Sequence, residues 1–160
     1  MARRRRAAAP RRGVPAARRR AAPYRFLPHT ADMAVAVRER TLARLFENSA
    51  AALFDLVTDR GVVRPQRSVR FGARGQSLDD LLVRFLSELL YLQEVKGWRF
   101  RCCAVEKLDR AGLRVRGAAE GEPFDSERHP RRHEVKAITY HRLGITRSAG
   151  QWQVTFVVDV

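Results

Sequence analysis

The sequence predicts an α+β fold: one compact domain with two main helices packed on a mainly antiparallel sheet. Three observations predict it. Two stretches carry apolar residues at the three- and four-residue spacing of a helix face. The stretches before and after them alternate apolar and polar residues, as strands do. Turn residues cut those alternating stretches into short units. The chain has 160 residues, enough for one domain with a real core.

Order is expected to begin near Tyr24. Pro28-His29-Thr30-Ala31-Asp32 reads as a loop, and Met33 to Arg38 as a strand with Met33, Val35 and Val37 on one face. Thr41 is a candidate N-cap for a helix reaching about Thr58, with Leu42, Leu45, Phe46, Leu53, Phe54 and Val57 on its buried side. Asp59-Arg60-Gly61 ends that helix, and a short strand is expected over 68–71. Ser77 with Asp80 resembles a capping box with the shorter Asp in place of Glu. Leu78, Leu81, Leu82, Phe85, Leu86, Leu89 and Leu90 then form a wide apolar stripe, and the helix stops by Gly97. Strands follow over 98–107 and 113–120, joined by a turn at Asp109-Arg110-Ala111-Gly112. Residues 121–133 read as a polar loop. One long or two broken strands are expected from Glu134 to Thr146, bent at Gly144. Trp152 to Val160 is the last strand. The total is five or six strands.

Charge is unevenly spread. The formal net charge is +15, and residues 1–20 hold nine arginines and no acid, leaving +6 for the remainder. This predicts a disordered Arg/Ala/Pro-rich arm over 1–23 and a folded domain over 24–160. The arm suits RNA phosphates; a transit peptide or an extension with no dedicated role are the other readings. No apolar run approaches the roughly 20 residues of a membrane span, so no membrane partner is expected and the default location is cytoplasmic. Cys102 and Cys103 are adjacent, so in a strand they point to opposite faces. They read as small core residues in a reducing compartment.

The candidate chemistry is acidic. Asp32 precedes the first predicted strand, and Asp159 with the Val160 carboxylate closes the last. Oxygen-only donors suit a hard cation, Ca²⁺ or Mg²⁺, rather than zinc. The plainer alternative is a turn aspartate or a partner for arginine. Within Glu134-Val135-Lys136-Ala137-Ile138-Thr139-Tyr140-His141, alternation groups Glu134, Lys136, Ile138 and Tyr140 on one face. Lys136 is placed to pair with Asp32 or Asp159, or to meet a phosphate; a solvated lysine is the alternative. His129 and His133 are four apart, but Pro130 between them opposes a helical zinc site. Trp98, Phe100 and Trp152 lie among basic residues, as base-stacking side chains do, although a core role fits Trp152 better. The chain lacks the phosphate-binding and hydrolase motifs, namely the Walker loop, GxGxxG, GxSxG and HExxH.

Taken in order, several motifs resemble one family. They are His29-Thr30-Ala31-Asp32, Thr41-Leu-x-x-Leu-Phe-Glu-Asn, Ala52 to Asp59, and Leu81-Leu82-x-x-Phe85-Leu86-x-Glu88-Leu89-Leu90-Tyr91. Gly121-Glu122-Pro123-Phe124-Asp125, His129, Glu134 to His141 and Val158-Asp159-Val160 complete the set. This series resembles the archease family over Tyr24 to Val160. The resemblance implies a small α+β protein that is not itself an enzyme. It implies a cofactor of the RtcB-type RNA ligase of tRNA splicing and RNA repair. Such a cofactor promotes guanylylation of the ligase's histidine and multiple turnover. It further implies a divalent metal, calcium first with Mg²⁺ or Mn²⁺ as alternatives, held by Asp32, Asp159 and Val160. Lys136 corresponds to a lysine implicated in activation, together with Asp32 and Asp159. RNA is then met indirectly through the ligase, or directly through the arm. The competing reading is a general RNA-binding or chaperone-like module that uses the arm. A metal-dependent hydrolase ranks last, for want of a nucleophile or base arrangement.

Overall fold

The computed structural model describes residues 23–160, apart from Thr30 and the side chain of His29. The expected arm over 1–23 falls, Pro23 apart, outside the described residues. The α+β class holds, with two helices between two antiparallel sheets. Among the described residues the strands number eight rather than five or six. They are β1 Tyr24–His29, β2 Asp32–Glu39, β3 Arg67–Arg74, β4 Trp98–Asp109, β5 Arg114–Pro123, β6 Ala137–Thr139, β7 Thr146–Ser148 and β8 Gln151–Asp159. The helices are α1 Leu42–Val57 and α2 Leu78–Glu94.

One sheet runs β1-β2-β8-β6, with β7 also paired to β8; the other runs β3-β5-β4. All named pairings are antiparallel. The stretch 28–32, expected as a loop, is mostly ladder: Pro28 and His29 end β1, and Asp32 begins β2. Strand β1 escapes detection because Tyr24-Arg25-Phe26-Leu27 lacks a clean alternation and Pro28 reads as a breaker. Pro28 is tolerated because β1 is an edge strand.

Local chemistry sets both helix starts. Thr41 Oγ1 accepts the Arg44 N–H at 3.2 Å, and Ser77 Oγ accepts the Asp80 N–H at 3.1 Å. Asp80 does not return the bond to Ser77. Its Oδ2 takes the Gln76 N–H one residue earlier, at 2.8 Å.

Both helices meet both sheets. Helix α1 packs on β4 on one side and on β2 and β8 on the other, while α2 packs on β3, β4 and β6. That position explains why α1 is buried nearly all round, including Ser49, Ala50, Ala51 and Ala52. Small side chains at 49–52 let the sheets approach the helix closely. Phe46, Phe54, Phe85, Phe100 and Phe156 are fully buried. Phe85 touches both Phe46 and Phe71, with ring centroids 5.2 Å apart in each case. Full burial of each such side chain contributes about 1.5–3 kcal/mol.

Two bulges in β4, between Phe100 and Cys102 and between Val105 and Lys107, keep the apolar residues facing inward. Phe100, Cys103, Val105 and Leu108 thus share the inner face although their spacing is irregular. Cys102 lies opposite Glu120 on the outer face, and burial pushes the Cys103 thiol far up. The inner face also takes Phe100 and Trp98, whose rings stack at 6.2 Å, so the base-stacking reading fails for this pair. Trp152 is flanked by the Arg110 and Arg147 guanidiniums at 5.0 and 5.4 Å. Among the described residues no helix is long and apolar enough to cross a membrane.

Candidate functional site

The β2–β8 ladder sets Asp32 directly opposite Asp159. Met33, Val35 and Val37 of β2 face the helices, so alternation turns Asp32 outward. Val154, Phe156 and Val158 do the same for β8, and Asp159 shares the outer face. Directly opposed residues in an antiparallel pair have Cβ atoms about 4.5–5.5 Å apart. Both aspartates are half-buried, as is Val160. On the far side of β8, Ala137 stands opposite Asp159, and the Lys136 N–H donates to the Asp159 carbonyl at 2.8 Å. Four candidate residues from three distant stretches therefore meet at one end of the five-stranded sheet.

Lys136 differs from expectation in two respects. The strand holds only Ala137–Thr139 of the predicted 134–146 run, and β7 takes Thr146–Ser148. Residues 133–136 belong to no strand, and Glu134, Lys136 and Tyr140 are exposed while Ile138 is buried, so the expected grouping of these four on one face does not hold. Val135 and Ile138, three apart, are the buried anchors, at 3% and 7% exposure. Lys136 is exposed between them. Its ammonium pairs with neither aspartate. Among the described residues no ion pair to Asp32, Asp159 or the chain end forms within 4.0 Å.

The connection from β6 to β7 is tied to the start of α2. Tyr140 donates its hydroxyl proton to Asp80 Oδ1 at 2.6 Å, and Asp79 Oδ1 accepts the Ile145 N–H at 2.8 Å. The bond to Asp80 raises the Tyr140 phenol above its ordinary range. On the other side, Thr58 Oγ1 donates to the Pro130 carbonyl at 2.6 Å and Val57 accepts the Arg132 N–H at 2.9 Å. Lys136 thus projects from a segment fixed at both ends.

The expected polar loop over 121–133 is a correction. Gly121 to Pro123 belong to β5, and Glu122 and His129 are buried at 5% and 1% exposure. Glu122 Oε1 accepts from the Arg64 N–H at 3.0 Å, from Arg128 at 2.6 Å and from His129 Nε2 at 2.8 Å. His129 Nδ1 accepts the Asp125 N–H at 2.9 Å, so Nε2 carries the ring proton given to Glu122. Burial alone acts to raise the Glu122 pKa. The Arg64 N–H, His129 and Arg128 overcome it and bring the carboxyl to about 2. The sequence reading missed this cluster's role, although its residues lay in the quoted Glu122-Pro123-Phe124-Asp125 and His129 motif.

Asp32 and Asp159 supply only two side-chain carboxylates. Among the described residues no group of three or more His, Cys, Asp and Glu is set to hold a metal. A third oxygen donor at this end is the carboxylate of Val160, if that is the last residue. The donor chemistry fits a hard cation.

Comparison with known proteins identifies the family. A model described as Archease protein family (MTH1598/TM1083) matches residues 24–160. The protein archease of Methanopyrus kandleri is 41% identical over 139 residues, 86% of this chain and 99% of that one. The protein archease of Pyrococcus furiosus is 38% identical over 134 residues, covering 82% and 94%. The solution structure of Methanobacterium thermoautotrophicum protein 1598 is also similar, with a TM-score of 0.68 at 29% identity over 86% of this chain and 99% of that one. With a family model matched from Tyr24 to Val160 and relatives this similar over nearly their whole length, the chain belongs to the archease family.

Proposed function

We propose that this protein is an accessory activator of an RtcB-type RNA ligase, with no turnover of its own. It promotes guanylylation of the ligase's histidine and multiple turnover, in tRNA splicing and RNA repair in the cytoplasm. The observation that carries this reading is the direct opposition of Asp32 and Asp159. Like charges directly across a ladder disfavour the fold, and no cation among the described residues compensates them. An end built this way is suited to a cation or cationic centre supplied from outside.

Asp32, Asp159 and, with Val160 as the last residue, its carboxylate would hold a divalent ion. Calcium comes first, and Mg²⁺ or Mn²⁺ are alternatives. The ion would supply positive charge for nucleotide phosphates in the partner's centre. Lys136 adds a mobile ammonium on a fixed backbone, a point charge suited to phosphate. Groups held in place before the partner arrives lower the cost of assembling a reactive centre. The alternative, a general RNA-binding or chaperone-like module, places the function in the arm.

The test is a guanylylation assay of a cognate ligase with GTP, run with and without this protein. Faster formation of the guanylylated histidine supports the proposal. An unchanged rate at saturating protein rules it out.

A further inference from the structure

The outer face of the three-stranded sheet carries a second charge arrangement. Across β3, β5 and β4, one row reads Arg74, Arg114, Asp109 and the next Gly72, Arg116, Lys107. Arg74 stands directly opposite Arg114, and Arg116 directly opposite Lys107. All four cations are exposed. Among the described residues none of the four forms an ion pair or a side-chain hydrogen bond. Asp109 is the one acid in these rows, and its Oδ1 accepts the Gly112 N–H of the turn at 3.0 Å. The rows border a depression of about 370 Å³.

Two like-charge pairs in adjacent rows cost stability, and Asp109 opposite Arg114 offsets only part of it, with no acid directly across from Arg116 or Lys107. Their compensation lies in an anionic partner. Beyond these rows the outward positions are the small Ser68, Ala104 and Ala118, the Arg70–Glu106 pair at 2.8 Å, and Glu120 beside Cys102, so the unpaired cations gather at the turn end of the face. No aromatic ring faces outward here, since Phe71, Phe100 and Trp98 turn inward. A protein partner would find no apolar anchor of the kind that dominates protein interfaces. A phosphodiester backbone needs none, and the missing rings mean bases are not stacked. Arg114 and Arg116 are two residues apart on one strand, about 6.8 Å, close to the spacing of successive phosphates on an extended strand. The segment 1–22 is excluded as occupant by its own charge, nine arginines and no acid.

We infer that Arg74, Lys107, Arg114 and Arg116 form a binding face for the phosphate backbone of single-stranded nucleic acid, without base specificity. The face lies far from the carboxylate end. Arg110, in the turn joining β4 and β5, sits over Trp152, seven residues before Asp159 on β8, a span of about 23 Å. One molecule thus offers acids at one end and a basic face toward the other. The inference stands independently of the ligase reading.

The test is fluorescence anisotropy with a single-stranded oligouridylate and the 160-residue chain. The variant R74Q/K107Q/R114Q/R116Q is expected to lose about tenfold or more in affinity at low salt, and its log–log salt slope to fall by about 3. A control with equal loss of charge elsewhere, R25Q/R40Q/R44Q/K96Q, is expected to stay within about twofold, since charges off the face release no counterions on binding. The four-site variant should melt no lower than the parent, because it removes two like-charge pairs. If it folds poorly, R114Q/R116Q serves instead, with a slope change of about 1.4. Equal loss in both four-site variants, or no RNA binding by the parent chain, overturns the inference. So does polyglutamate competing as well as RNA, which would assign the face to an acidic protein.

Discussion

Asp32 and Asp159 begin one strand and end its neighbour, and the register sets them face to face. They are 127 positions apart in the chain, so only the complete β2–β8 ladder brings them together. The same ladder aligns Val35 with Phe156 in the core. A slip of one residue would turn Phe156 outward and separate the two acids. Core packing therefore fixes the geometry of the carboxylate end.

Neutralising either acid should separate stability from function. Asp32→Asn or Asp159→Asn relieves a directly opposed like-charge pair, so each variant is expected to gain about 0.2–1 kcal/mol. Each is also expected to lose stimulation of ligase guanylylation. Chemical denaturation and the guanylylation assay read the two effects on the same preparations. A variant that is less stable and fully stimulating would show that the acids are structural.

The Glu122 cluster predicts a specific acid sensitivity. The folded carboxyl titrates near 2, below its ordinary 4.5. A depressed carboxyl contributes stability that is complete above the unfolded value and is lost as pH falls through the folded one. The window is therefore from about pH 4.5 down to about pH 2. Glu122→Gln removes this contribution. Its melting temperature should lie well below that of the parent at neutral pH and converge on it near pH 2. A constant difference across the range would mean that shape, not charge, holds the loop.

What the sequence disclosed depended on how far each signal reached along the chain. Helices α1 and α2 were legible because their caps and apolar spacing lie within a single stretch. Asp32, Lys136, Asp159 and Val160 stand out as charged groups at strand ends, spacing alone leaves them a plainer reading, and only the motif resemblance implies a shared role. Strand β1 was not legible, since its alternation is poor and only pairing with β2 explains it. The Arg74–Arg114 and Arg116–Lys107 pairs were hidden for a different reason. A net charge of +6 outside the arm looks mild, and only cross-strand register shows the cations gathered on one face.

Close backbone approach at Gly121 makes a stability prediction with an internal control. A Cβ there would sit 1.9 Å from the Arg99 carbonyl oxygen and 2.8 Å from its carbon. Both are backbone atoms of the adjacent strand, so β4 must move. Gly121→Ala is expected to cost about 1–3 kcal/mol or more. At Gly72 the nearest atom to such a Cβ is 3.7 Å away, and Gly72→Ala should stay within about 0.5 kcal/mol of the parent. Urea titration of the two variants checks the difference.

Lys136 offers the cleanest separation of site from scaffold. Its N–H holds the Asp159 carbonyl, while its side chain is exposed and unpaired among the described residues. Lys136→Ala keeps the backbone bond and the buried anchors Val135 and Ile138, so stability should change by less than about 0.5 kcal/mol. If the ammonium acts on phosphate in the partner, the same variant loses stimulation of guanylylation. Lys136→Arg keeps the charge but changes its shape from a compact point to a planar fork, so partial recovery is expected. Full stimulation by Lys136→Ala would remove the side chain from the mechanism and leave its segment as a brace for β8.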